Sequence, residues 1–230
     1  MKKSLIALAV AAALAPSLAM AEKGDIVVRL RATNITANED SDLGKYVNKN
    51  VGLGNIMSPG AELKVDSNTI PEIDFSYYIT KNIAAELILA TGTKHDVSVI
   101  KDSVGTVGNQ DLGSVNLLPP TLLLQWHFNP DQTFDPYVGA GVNYTAFLDR
   151  KLRFESGAAA GQKIKLESDS WGLAAQAGLD VNLKDGWLIN ADVKYIQIDT
   201  KVKGDIGGYK LIDKLDIDPW VVSIGFGKKF

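Results

Sequence analysis

The sequence predicts an all-β protein: an eight-stranded antiparallel transmembrane β-barrel with four long extracellular loops and three short periplasmic turns. Three observations carry that prediction. Segments of alternating apolar and polar residues recur eight times, and period-two alternation marks a strand whose two faces meet different surroundings. The connections between them alternate between short and long. The chain starts with an export signal and ends on a strand, Trp220 to Phe230, of the ~9–11 residues that a tilted strand needs to cross a bilayer.

Lys2 and Lys3 form a positive start, Leu5 to Leu14 is a continuous apolar run, and Ala19-Met20-Ala21 is a small-x-small cleavage site. Residues 1–21 are therefore expected to be a signal peptide, with 22–230 as the barrel. No later stretch reaches the ~18 apolar residues of a membrane helix. Among 230 residues there is no cysteine, which excludes disulfides and thiolate metal sites. Net charge is −3, and no basic stretch suggests nucleic acid as a partner. Mean hydropathy is +0.01. A membrane helix bundle scores far higher, but half of a barrel's strand residues face inward.

The first segment runs from Gly24 to about Asn38, with Ile26, Val28 and Leu30 opposed to Val27, Arg29 and Arg31. The second, Pro71 to Thr80, sets Ile73, Phe75 and Tyr77 against Glu72, Asp74 and Ser76. The third begins at Ile83, where Ala85, Leu87 and Leu89 alternate with Ala84, Glu86 and Ile88. The fourth, Leu118 to Phe128, opposes Leu122, Leu124 and Trp126 to Leu123, Gln125 and His127. The fifth starts near Asp135, the sixth at Trp171, the seventh at Trp187 and the eighth at Trp220, each with the same alternation. An even number of antiparallel strands closed on itself leaves no edge unpaired in lipid.

Three connections are short: Thr80 to Asn82, Asn129 to Thr133, and Lys184 to Gly186. Four are long: about Glu39 to Ile70, Ile100 to Leu117, Lys151 to Ser170, and Lys203 to Asp213. Short turns on the periplasmic side and long loops outside are the barrel arrangement. Trp126, Phe128, Trp171, Trp187, Trp220 and Phe230 are expected at the two interfaces.

Specific stretches carry a family resemblance. They are Leu118-Pro-Pro-Thr-Leu-Leu-Leu-Gln-Trp-His-Phe128, Pro136-Tyr-Val-Gly-Ala-Gly-Val-Asn-Tyr-Thr-Ala-Phe147, Trp171 to Asp180, Asn190 to Ile196 and Asp218 to Gly225. In these the chain resembles the OmpW family of small outer-membrane proteins, which includes AlkL-type alkane-uptake barrels. The resemblance spans about Asp25 to Phe230. Lys228 departs from it, because such strands often carry an aromatic there; the first long loop is its least similar part. The resemblance implies a hydrophobic pocket that takes small apolar molecules past the lipopolysaccharide layer and releases them sideways into the membrane. It places the protein in a Gram-negative outer membrane among outer-membrane lipids and lipopolysaccharide. Phe230 would then be the signal to the barrel-assembly machinery.

The inward positions of the periplasmic half are polar: Arg29, Arg31, Asp74, Glu86, Gln125, Asn143, Asp180, Asp192, Lys194 and Ser223. An eight-stranded barrel is only just wide enough for side chains, and charges there must be paired. A polar plug centred on Arg29 and Arg31 is expected, which stiffens the barrel and bars a straight water path. Higher up, Ile88, Ala90, Leu118, Leu123, Phe147, Ala174 and Ile196 are expected to line an apolar lumen, extended by Leu53, Ile56, Met57, Leu63, Val104 and Val107 from the loops. Pro71, Pro119 and Pro120 lack an N–H; they either start strands or weaken the wall enough for a lateral opening.

Other functions have weaker sequence support. An aqueous or ion channel, or a structural or receptor-like surface barrel, is the alternative. No cofactor or metal set is evident, and no catalytic residues. His127 should face inward near a short turn, and His95, with Asp96 and Ser98 beside it, reads as a loop or surface histidine rather than part of a lipid-modifying site.

Overall fold

The computed structural model describes residues 21–230 apart from residues 53, 91–92, 104–105 and 206–207. The expected leader, and the loop residues Leu53 and Val104, lie outside the described residues. In chain order the strands are β1 (Ile26–Thr36), β2 (Glu62–Val65), β3 (Asn68–Tyr78), β4 (Ile83–Ala90), β5 (Thr93–Ile100), β6 (Gln110–Leu118), β7 (Thr121–His127) and β8 (Phe134–Arg150). They continue as β9 (Leu152–Arg153), β10 (Lys163–Leu166), β11 (Asp169–Asn182), β12 (Trp187–Ile196), β13 (Asp199–Asp205), β14 (Tyr209–Asp216) and β15 (Trp220–Lys229). One helix, α1, spans Leu43–Asn50.

Eight strands close the barrel in the order β1-β3-β4-β7-β8-β11-β12-β15, with β15 returning to β1 and every pair antiparallel. The closing pair runs from Val27↔Lys229 to Thr36↔Trp220, so the two terminal strands cover each other's edges. Phe230 continues that ladder: its N–H donates to the Ile26 carbonyl at 2.8 Å. Outward side chains are apolar and exposed, among them Leu30, Phe75, Leu122, Val142, Ile189 and Ile224. Trp126, Trp171, Trp187 and Trp220 are exposed near strand ends, and Trp171 and Trp220 meet Tyr144 and Tyr195 at 4.8 and 5.2 Å.

The long connections are more ordered than loops. β4 continues upward as β5, and β6 descends into β7, so two walls of the barrel extend above it. Connections three and four contribute a separate four-stranded sheet, β14-β13-β10-β9. The first connection holds β2 and α1. Leu43, Val47 and Val51 recur every fourth residue, so they share one face of α1 and are buried. The inward faces of all these elements form one apolar core with the upper barrel; Met57, Leu63, Val107, Leu112, Phe154 and Ile212 are its loop contribution. Burial of that apolar surface is what holds the extracellular part together.

Candidate functional site

Parity fixes which side chains enter the lumen. Arg29 and Arg31 alternate with exposed Leu30 on β1, and both arginines are buried. Gly227, opposite Arg29 on β15, is without a side chain where a Cβ would stand 2.8 Å from Arg29 Cγ. The barrel wall itself makes room for the guanidinium.

The inward charges form a continuous ionic network. Arg29 donates from Nε and Nη2 to the two oxygens of Asp180 at 3.3 and 2.5 Å, and from Nη1 to Asp74 at 3.0 Å and Ser76 at 2.7 Å. The fork geometry of guanidinium suits such two-point contact with a carboxylate. Arg31 donates from Nε to Glu72 at 2.7 Å, lies 3.0 Å from Asp74, and pairs with Asp192. Lys194 bridges Asp192 at 2.8 Å, Glu72 at 3.3 Å and Ser223 at 3.2 Å. Gln125 donates to Gln176, which donates to Asp192. Glu86 is fully buried 3.7 Å from Arg29 Nη1 and 3.6 Å from Arg31 Nη2, yet neither of its oxygens has a hydrogen-bond partner.

Sequence reasoning missed part of this network. Glu72, Ser76, Tyr137, Gln176 and Asn190 belong to it, and each stands at an inward position an even number of residues from one that was expected there. Asn143 does not join the charges. It donates to Thr121 Oγ1 at 2.9 Å and accepts from Thr145 at 2.7 Å, in a neutral polar layer of its own.

Below the plug, His127 Nδ1 lies 2.7 Å from Asp135, and its ring stacks on Tyr137 at 4.9 Å. Ligand atoms of His127, Asp135 and Asp180 come within 4.8 Å of one another. A cation there would have to displace Arg29, which already holds both Asp180 oxygens. His95 is buried rather than at the surface: its Nδ1 lies 2.8 Å from the Asp66 carbonyl.

Above the plug the inward wall turns apolar. Ile88, Leu123, Phe147, Ala174 and Ile196 are buried in the upper core. Leu118 is not: it is 37% exposed on the outward side, and Leu117 takes the inward place. The reason is parity, since inward positions of this segment are odd-numbered (Thr121, Leu123, Gln125). The core side chains meet closely, leaving a cavity of about 20 Å³ among Leu63, Val97, Leu117, Phe147, Leu166 and Val202. That is room for about one water.

The prolines lie in the wall between two described ladders. Among the described residues, the β4–β7 ladder runs up to Ile88↔Thr121, and the β5–β6 ladder begins at Thr93↔Leu117. Pro119 and Pro120 occupy the interval on one side. The β3–β4 ladder ends at Glu72↔Ala90, next to Pro71, after which β5 pairs with β2 instead. Pro71 lies inside β3 rather than at its start, because β3 begins at Asn68.

The sequence model of the OmpW family matches residues 22–230. The chain is 36% identical over 232 residues to outer membrane protein W of Vibrio cholerae, covering 100% of both. It is 31% identical to outer membrane protein AlkL of Ectopseudomonas oleovorans, across 88% of this chain and 81% of that one. The crystal structure of the outer membrane protein OprG from Pseudomonas aeruginosa superposes with a TM-score of 0.75 at 33% identity, over 91% of this chain and 97% of that one. The full-length match, the closed barrel and its apolar outer belt agree: this chain is an outer-membrane β-barrel that belongs to the OmpW family.

Proposed function

We propose that the protein passes small hydrophobic molecules across the lipopolysaccharide layer, through its apolar upper half, and releases them sideways into the membrane. One observation carries the reading: a continuous apolar interior sits above a charged plug. Apolar residues gathered inside a membrane barrel have no water-conducting role, whereas they suit an apolar solute. The plug argues against passage straight to the periplasm. The stretch between Ile88↔Thr121 and Thr93↔Leu117 supplies the exit, since Pro119 and Pro120 offer no N–H to the neighbouring strand and make that part of the wall the least costly to part. The resemblance to AlkL-type barrels supports the same substrate class. With only about 20 Å³ free, the upper side chains must separate to admit a solute.

Export through the leader of residues 1–21 and recognition of Phe230 by the assembly machinery are part of this reading. The deciding experiment measures uptake of a long-chain alkane by cells with and without the protein. Faster uptake with the protein is the expected result; equal rates sink the proposal. Large steady ionic currents in a planar bilayer would favour an aqueous pore instead.

A further inference from the structure

The extracellular sheet β14-β13-β10-β9 has two unlike faces. Leu152, Ile164, Leu166, Val202 and Leu215 pack inward on the apolar core. The outward face sets like charges directly opposite each other: Arg153 faces Lys163, Lys165 faces Lys203, and Lys201 faces Lys214. Directly opposed like charges destabilise a sheet, so three such pairs in one small sheet call for an answering charge.

The protein answers only part of it. Glu155 pairs with Arg153 at 2.7 Å and Glu167 with Lys201 at 3.2 Å, and Lys165 lies over the Tyr209 ring at 5.6 Å. Among the described residues, Lys163 and Lys203 have no ion-pair partner. Two adjoining grooves of about 690 and 810 Å³ open on this face, sharing Arg150, Lys165 and Tyr209. The whole chain is acidic, at −3, so the basic character is local.

Its position names the anion. On β8, Tyr144 stands beside Trp171 in the aromatic belt. Leu148 is 65% exposed on the same side, and Arg150 follows two residues later. Arg150 is thus on the order of 15–20 Å along the strand from the belt, just above exposed apolar surface and level with headgroups and inner sugars. We propose that this face binds the phosphate groups of the phosphorylated glycolipid that forms the outer leaflet. Those phosphates supply the charge that the opposed pairs lack, and they anchor the sheet beside the upper barrel. Phosphate near clustered Lys and Arg attracts each one additively, and salt weakens the attraction.

The test compares wild type with a quadruple variant, Arg153→Gln, Lys163→Gln, Lys165→Gln and Lys203→Gln, in phospholipid vesicles with and without purified rough lipopolysaccharide. All four side chains lie on the outside of the sheet, and a heat-modifiable band on a gel verifies folding. Wild type should retain the glycolipid at low salt, and the variant about ten-fold less or worse. Enzymatically dephosphorylated glycolipid should reduce wild-type retention to the level of the variant. The thermal midpoints should cross over: without the glycolipid the variant is the more stable protein, because its repulsion is gone; with it, wild type is. Equal retention by the two proteins, equal binding of the dephosphorylated form, or binding only of a soluble sulfated oligosaccharide would each overturn the proposal.

Discussion

The ring of Tyr137 fills the space that a side chain at Gly178 would need: a Cβ there would stand 2.3 Å from Tyr137 Cζ and 2.4 Å from its hydroxyl oxygen. The ring is fixed on its other sides by His127, stacked at 4.9 Å, and by Asn190, which donates to the hydroxyl at 3.0 Å. Arg29 lies 5.9 Å from its centroid. Gly178→Ala should therefore cost about 1–3 kcal/mol through overpacking, read as a lower denaturant midpoint in lipid vesicles. In a Tyr137→Ala background the same change should cost clearly less, with only the Asp192 Cβ at 2.9 Å left in the way. Equal costs in both backgrounds would refute the steric account.

The plug is predicted to respond unevenly to removal of its carboxylates. Five of them, Glu72, Asp74, Glu86, Asp180 and Asp192, lie within ion-pair distance of three cations, Arg29, Arg31 and Lys194. Asp180→Asn weakens a two-point contact and leaves Arg29 undercompensated in a dry interior, which should cost about 3–5 kcal/mol. Glu86→Gln removes a carboxyl in excess of the three cations, whose oxygens make no hydrogen bond, and should be neutral or stabilising. If the two variants unfold at the same denaturant concentration, the account of Glu86 as the surplus carboxyl is wrong.

Much of this was legible because a barrel needs only parity. Arg29, Asp74, Glu86, Gln125, Asp180, Asp192 and Lys194 all enter the lumen as the alternation requires. Which ones touch was not legible. Arg31 and Asp192 are 161 residues apart, and they meet through the stagger of strands around the barrel. Leu118 shows the limit of reading chemistry ahead of parity: an apolar residue is at home on the lipid face too. The extracellular sheet was hidden for another reason. Ile164, Leu166, Val202 and Leu215 alternate with lysines as strand residues do, but their segments are only four to eight residues long and their connecting lengths resemble loops. α1 was not read either: Leu43 and Val47 stand at helical spacing, but that is a short signal inside a long connection.

Asp213 should make the extracellular part respond to pH. It accepts hydrogen bonds from the Ser41 hydroxyl and from the Asp42 N–H, joining β14 to the segment before α1. Burial pushes its carboxyl above the ordinary carboxylate range, against the lowering effect of those hydrogen bonds. A raised folded-state value means the folded protein binds the proton more tightly than the unfolded chain. Stability should thus rise as pH falls through the raised value, and level off below the ordinary one. Proteolysis of the extracellular segments, followed against pH, should slow on acidification. Asp213→Asn can still accept from the Asp42 N–H and turn its NH2 to donate to the Ser41 hydroxyl oxygen, and should flatten the profile; an unchanged profile would assign the effect to other groups.

The seam between β4–β5 and β6–β7 offers the sharpest test of lateral release. Thr93 and Leu117 are direct cross-strand partners, both buried, and they form the first described pair above Pro119 and Pro120. Ile88 and Thr121 form the last described pair below them. If solute leaves here, the strands must separate between those two pairs. A disulfide at Thr93→Cys/Leu117→Cys would hold the upper pair together. With no native cysteine, the engineered pair has no competing thiol. Directly opposed strand residues have Cβ atoms about 4.5–5.5 Å apart, close to the separation a disulfide spans. Oxidised cells should take up alkane several-fold more slowly than the same cells after reduction, while the single variants show no redox dependence. A slow rate that reduction fails to restore would indicate misfolding, and a second bridge at Ile88→Cys/Thr121→Cys then repeats the test from below. Unimpaired uptake with both bridges formed would remove the seam as the exit, because a wall clamped on both sides of the prolines has no remaining way to part there.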